Sequence, residues 1–214
     1  MKLSFFLASA ACLWTVTTLA QSPVALTISN APSYAIPDDF CGLSFGAVAE
    51  LPDHGGVSGY FFCATNTQLV TLFKNCGLHS LRLGGSTVEG TNAAIPNIAD
   101  IDNVFAFARA AGVKVIYSLP LLNGNSMANA GTAQYIWQHY RQLLDCFAIG
   151  NEPDIRRYHY PPFGSGMDPA TTNYASYLVA WRKFAAAIAN AVPGATFAGP
   201  DEANRSWAKL FARD

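Results

Sequence analysis

Short apolar runs alternate in series with stretches of helical spacing along this chain, and that alternation restricts the fold more than any other feature. Phe40 to Phe45 reads as a strand, and Thr65 to Cys76 as a helix carried by Leu69, Leu72 and Phe73 and closed by Gly77. Leu81 to Leu83 is a second strand, ended by Gly84-Gly85. Ile98 to Ala111 places Ile101, Val104, Phe105 and Ala108 on one helical face, and Gly112 stops that helix before the apolar strand Val113 to Leu119. The pattern repeats as a helix over Thr132 to Leu144, a strand over Cys146 to Ile149, a helix over Asn173 to Val192 and a strand over Thr196 to Ala198. Serial β-then-α units predict parallel strands, because each crossover helix returns the chain to the same end of the sheet.

Both a doubly wound sheet and a closed barrel fit this alternation. The dinucleotide-binding version of the first needs a GxGxxG turn opening a helix, whereas Gly84-Gly85 leads into Ser86-Thr87. A nucleotide-dependent α/β enzyme is disfavoured for the same reason. The expected fold class is therefore α/β, a (β/α)8 TIM barrel of which this chain supplies about the first five βα units. Polar residues gather where the strands end, as a barrel's active-site rim requires: Gly84 to Glu89, Leu122 to Asn125, Asn151 to Asp154 and Pro200 to Glu202.

The N-terminus carries one cation, Lys2, then an apolar run to Leu19 and small residues before Gln21. Residues 1–20 read as a cleaved signal peptide, and residues 21–214 as the N-terminal portion of the barrel. A membrane anchor is the competing reading, but Thr15, Thr17 and Thr18 interrupt the run and no charged stop-transfer flank follows. A secreted protein is expected, with no membrane association after cleavage. Losing Lys2 leaves the chain slightly acidic, with 14 acidic groups from the full sequence, which argues against nucleic acid as a partner. At 51% hydrophobic and 13% charged, the chain has ample material for one buried core.

Cys41, Cys63, Cys76 and Cys146 remain after cleavage. For Cys41 and Cys146, which lie in strand-like runs, buried free thiols and a disulfide are both open readings. The cysteines form no CxxC pair, and no histidine stands near them at ligand spacing, so neither a metal nor a cofactor is expected. His54, His79, His139 and His159 form no catalytic grouping.

The run Phe147-Ala148-Ile149-Gly150-Asn151-Glu152-Pro153-Asp154 carries the chemistry. An apolar strand delivers an Asn-Glu pair to the carboxyl end of the sheet, and Pro153, with no N–H to donate, stops it there. Glycoside cleavage needs a carboxylic acid to protonate the leaving oxygen, and partial shielding from water suits a rim glutamate to that task. Glu152 is thus the candidate acid/base, and Asn151 a candidate sugar contact. The alternative is a plain surface turn, since Asn, Pro and Asp favour turns.

These residues, with Leu81-Arg82-Leu83-Gly84-Gly85-Ser86, Gly42-Leu43-Ser44-Phe45 and Gly199-Pro200-Asp201-Glu202 in the same order, resemble glycoside hydrolase family 79, the β-glucuronidase and heparanase-like group. The resemblance runs from about residue 24 to the end. It implies a retaining hydrolase of β-glucuronides or related uronate-containing glycans. Glu152 would be the acid/base, and the nucleophile, a glutamate after the seventh strand, would lie beyond this sequence. Ser86 and Thr87 would line the sugar pocket, and Asp201 and Glu202 would bind sugar or support Glu152. Gly46 stands where relatives often carry an acid, and Glu50 is not clearly its substitute.

Arg82 has two readings, a bidentate grip on a uronate carboxylate or a structural pair with a carboxylate inside the barrel; the second is favoured. Tyr158, His159, Tyr160 and Phe163 form an aromatic loop suited to stacking on a sugar, with Tyr160 the candidate contact, or to packing the loop itself. Asn204-Arg205-Ser206 is a glycosylation sequon. A barrel needs about 250 residues, so the chain reads as a fragment, inactive alone. A sugar-binding pseudoenzyme and a barrel glycosidase acting on another hexoside or a xyloside are the alternatives.

Overall fold

The computed structural model describes residues 35–89, 93–122, 124–154, 174–203 and 207–214. The signal-peptide reading, Tyr160 with its aromatic loop, His159 and the sequon lie outside these residues. The strands are β1 (Gly42–Gly46), β2 (Ser80–Gly84), β3 (Lys114–Leu119), β4 (Leu144–Ile149) and β5 (Phe197–Ala198). The helices are α1 (Thr67–Asn75), α2 (Ile98–Ala111), α3 (Ser126–Tyr140), α4 (Tyr174–Ala191) and α5 (Ala208–Phe211).

All strand pairs are parallel, and the sheet runs β1-β2-β3-β4-β5. Doubly wound sheets reverse their strand order at a switch point. This one never does, so the topology decides for the barrel arrangement.

Register fixes two faces. Leu83, Tyr117 and Phe147 stand in one row across β2, β3 and β4, and Leu119 pairs with Ile149. All are buried and join the helices in one core. Ser44, Arg82 and Ile116 form the alternating row on the opposite face.

The expected α2 is the observed one. Asn97 accepts from Ala99 N (2.7 Å) and Asp100 N (3.2 Å), and Asp100 returns a bond to Asn97 N at 2.7 Å. This capping box satisfies the first-turn donors and sets an acid at the positive end of the helix dipole. Gly112 closes the helix with φ 78°, a left-handed conformation that glycine adopts without a Cβ clash. The expected face, Ile101, Val104, Phe105 and Ala108, is buried, and so is Phe107, which meets Phe62 and Phe73 edge-on. Burying a phenylalanine this fully contributes about 2–3 kcal/mol.

Elsewhere boundaries move. The helix expected over Thr132 to Leu144 is α3, Ser126–Tyr140. Its start is set by Asn125, whose side chain accepts from Met127 N (2.9 Å) and Ala128 N (3.0 Å). Alanines and Gly131 dilute the apolar period there, hiding the start from a periodicity reading. The chain leaves the helix before Leu144 because that residue pairs with Val115 in the sheet. At β1, residues Asp38–Phe40 form a 3-10 turn, so the strand begins at Gly42.

Among the described residues, Cys41, Cys63, Cys76 and Cys146 are free thiols. Cys41 is exposed, against the expectation of a buried strand position, because it precedes β1. Cys146 lies in β4, half-buried, and burial pushes its thiol up to about 11.

Candidate active site

β4 ends at Ile149, and the chain then turns outward through Gly150, Asn151 and Glu152. Gly150 has φ 88° and Glu152 φ 48°. A left-handed glutamate costs about 1–2 kcal/mol relative to the right-handed form, and such conformations concentrate at functional sites. Asp201, after β5, is also left-handed at φ 57°. The two are tied directly, Glu152 N donating to the Asp201 carbonyl at 2.7 Å. One turn later, Asp154 accepts from Ala203 N at 2.8 Å.

Arg82 organises the floor beneath this turn. Its Nη2 donates to Asp201 Oδ2 at 2.8 Å and to Asn151 Oδ1 at 3.1 Å, and its Nη1 to Ser44 Oγ at 3.1 Å. One guanidinium therefore holds β1, β2 and the loops after β4 and β5. The carboxylate pairing expected for Arg82 is present, and its partner is Asp201. Arg82 Nε and Ser118 Oγ are buried without a hydrogen-bond partner among the described residues.

Glu89 is a residue that the sequence reading left in the polar run Gly84 to Glu89 without a role. It is 3% exposed and accepts from Leu121 N (3.1 Å) and Leu122 N (2.6 Å), and also from the backbone of Asn151. Burial pushes its carboxyl up to about 8, while the three backbone donors pull it down. The loops after β2, β3 and β4 are thereby clamped on one side chain, next to Asn151. Its only sequence signal is an acid closing a loop rich in small residues.

Asn151 is buried and held from both sides, its side chain by Arg82 and its N–H by Glu89. Glu152 is half-buried beside it. Ser86 is exposed on the 3-10 turn Gly85–Val88. Thr87 Oγ1 accepts from Val48 N at 3.1 Å and lies 3.4 Å from the Gly84 carbonyl, joining the turns after β1 and β2. Glu202 accepts from Trp207 N, and from Ala208 N at 2.6 Å, which caps α5. Glu50 lies on the other side of the sheet: it is buried against Tyr117, which stacks on Phe105 of α2. Among the described residues no group of three or more His, Cys, Asp or Glu is placed to hold a metal ion.

With this geometry in view, the chain superposes on solved glycosidases. It matches a monomeric β-xylosidase from Caulobacter crescentus CB15 with a TM-score of 0.53 at 14% identity, over 80% of this chain and 38% of that one. A GH39 enzyme from Xanthomonas axonopodis pv. citri gives 0.54 at 12% identity, over 80% and 37%. A GH39 β-xylosidase from Caulobacter crescentus gives 0.54 at 16% identity, over 83% and 44%. The fold is that of the glycosidase TIM barrels. The chain spans well under half the length of these enzymes and supplies consecutive βα units of such a barrel. No protein-family model matches it, and no curated protein matches it in sequence. The fold likeness does not single out family 79.

Proposed function

We propose that this chain carries the acid/base side of a retaining β-glycosidase, with Glu152 as the proton donor and acceptor. The observation that carries the reading is the placement of Glu152. It stands at the carboxyl end of β4 in a left-handed turn, its N–H fixed to Asp201 and its neighbour Asn151 held by Arg82 and Glu89. In such a mechanism Glu152 protonates the departing glycosidic oxygen, then takes the proton of the water that releases the sugar. Asn151 offers an amide to a sugar hydroxyl beside the cleaved bond. The partner nucleophile must sit about 5–5.5 Å away across the sugar. Asp201 is engaged by Arg82 and Glu202 by α5, so neither is assigned that role.

The resemblance to family 79 suggests a β-glucuronide as substrate. A neutral glycone is the second reading, favoured by one observation: Arg82, the cation at this site among the described residues, already serves Asp201, Asn151 and Ser44. Some fold neighbours are named as β-xylosidases, which makes a β-xyloside the natural comparison. Export is part of the proposal, with residues 1–20 removed as a signal peptide. N-terminal sequencing of the exported protein should then begin at Gln21.

The test is hydrolysis of 4-nitrophenyl β-glucuronide and β-xyloside by the product of the complete reading frame. Glu152→Ala should lower turnover by roughly 10²–10⁴-fold, and azide should restore it by trapping the glycosyl intermediate. Full activity in Glu152→Ala removes Glu152 from the mechanism. Preference between the two substrates decides the glycone.

A further inference from the structure

Between the turns after β1 and β2, the end of β3 and the start of α3 lies a cavity of about 450 Å³. It occupies the space where two apolar clusters fail to meet. Ala47, Val88 and Ala94 form a small cluster of their own, separate from the main core to which Tyr117 and Leu119 belong, and the cavity is lined by members of both. The loop after β3, from Pro120 to Asn125, and the first half of α3, where Ala128 is exposed at the surface, complete its wall with Ile95 and Pro96.

One carboxyl group lines this apolar space. Glu50 is 1% exposed; its Oε2 accepts from Tyr117 Oη at 2.8 Å, and its Oε1 takes no hydrogen bond from the described residues. Two groups face it from the elements packed around it, the Tyr117 hydroxyl of β3 and the Asp100 carboxylate at the start of α2. Asp100 is committed elsewhere, accepting from Tyr60 Oη and Asn97 N. The volume falls at the lower end of small-molecule sites, which run from about 300 to 1,000 Å³.

We propose that this cavity binds a compact, uncharged molecule of one or two rings that carries a single hydrogen-bond acceptor such as a carbonyl, held by a proton donated from Glu50. Burial keeps the Glu50 carboxyl neutral at pH 7, pushing it up to about 8 against the pull of the Tyr117 hydrogen bond, and Asp100 adds to the rise. A neutral carboxyl whose Oε2 already accepts from Tyr117 has its proton free on Oε1, facing the cavity. A cationic ligand would have to displace that proton first. The proposal does not rest on the glycosidase reading: Arg82, Glu89, Asn151, Glu152 and Asp201 are not among the residues that line the cavity.

Acetophenone is the probe, because it accepts a hydrogen bond, donates none and does not titrate. Added to the whole chain and followed by amide NMR, it should produce saturable shifts at Ala47, Val88, Leu122 and Ala128. Ethylbenzene, the same ring without the acceptor, should bind about tenfold more weakly, the worth of one hydrogen bond. Affinity for acetophenone should fall as pH rises through the Glu50 pKa, by about the tenfold that the hydrogen bond is worth. Glu50→Gln, whose amide still donates, should bind at every pH without that decline. Ala128→Trp, at an exposed position on α3, should fill the cavity mouth and abolish the shifts with the rest of the spectrum intact. Absence of saturable shifts in the parent chain, or unaltered binding in Ala128→Trp, overturns the site. Equal affinity for ethylbenzene overturns the role of Glu50.

Discussion

Arg82 meets Asp201 at 2.8 Å on one face of the sheet, and Tyr117 meets Glu50 at the same distance on the other. The first pair is a quarter exposed or slightly less and is an ion pair whose guanidinium also engages Asn151 and Ser44. The second is almost sealed, at 1% and 2% exposure, and faces no cation, so the carboxyl holds its proton instead. Burying a charge is costly unless it is paired. Asp201 meets that demand through its ion pair with Arg82, whereas Glu50, with no cation beside it, and Glu89, held by backbone donors, meet it by neutralisation. The contrast shows that an acid's position along a strand and loop does not by itself fix its charge; the depth of the face it enters does.

The sharpest way to break this contrast is a pH series. Glu50 and Glu89 are both raised from 4.5 to about 8 in the folded chain. The folded state therefore holds more protons than the unfolded state between these values. Stability from these groups is fully present below pH 4.5 and is lost as pH rises toward 8. Each group contributes a slope of up to about 1.4 kcal/mol per pH unit. Urea unfolding at pH 5, 6.5 and 8 should show Glu50→Gln losing part of that slope and Glu50→Gln/Glu89→Gln most of it. Parallel profiles for parent and variants would falsify neutralisation of these two buried acids.

Arg82→Met should have the next largest effect and tests the other face. It leaves the Asp201 carboxylate and the Asn151 amide without their donor in a partly buried place, a loss of about 3 kcal/mol. Adding Asp201→Asn should recover part of this, because the uncompensated charge goes with it. A single-variant cost below about 1 kcal/mol in denaturant unfolding would show the network behaving as an ordinary surface pair.

How much of this was legible in the sequence depends on the distance over which each feature is made. α2 was readable to the residue because its cap, apolar face and closing glycine all lie within one continuous segment. The start of α3 was not, since Asn125 does the capping while the alanines after it carry little apolar period. Glu152 was visible because a strand, a proline and an Asn-Glu pair are adjacent in the chain. Arg82 could be read as the partner of some carboxylate, but its partner lies across the sheet at Asp201. Glu89 and Glu50 were passed over for the same reason. The donors of Glu89 belong to the loops after β3 and β4, and the donor of Glu50 belongs to β3. No local spacing rule reports contacts that only the packed sheet creates.

Ser44 gives the smallest and most discriminating test of the comparison. Its hydroxyl accepts from Arg82 Nη1 at 3.1 Å, but Ser44 stands exposed on β1, where water can take its place. Ser44→Ala should therefore cost no more than about 0.5 kcal/mol in unfolding. It should leave the amide resonances of Asn151 and Glu152 in place, because Asp201 and Asn151 still hold the other arm of the guanidinium. A larger loss, or a shift of those two amides, would mean that β1 steers the turn carrying Glu152 through Arg82. The network would then have to be read as one cooperative unit across β1, β2 and the loops after β4 and β5, with the position of the proposed acid/base depending on every member.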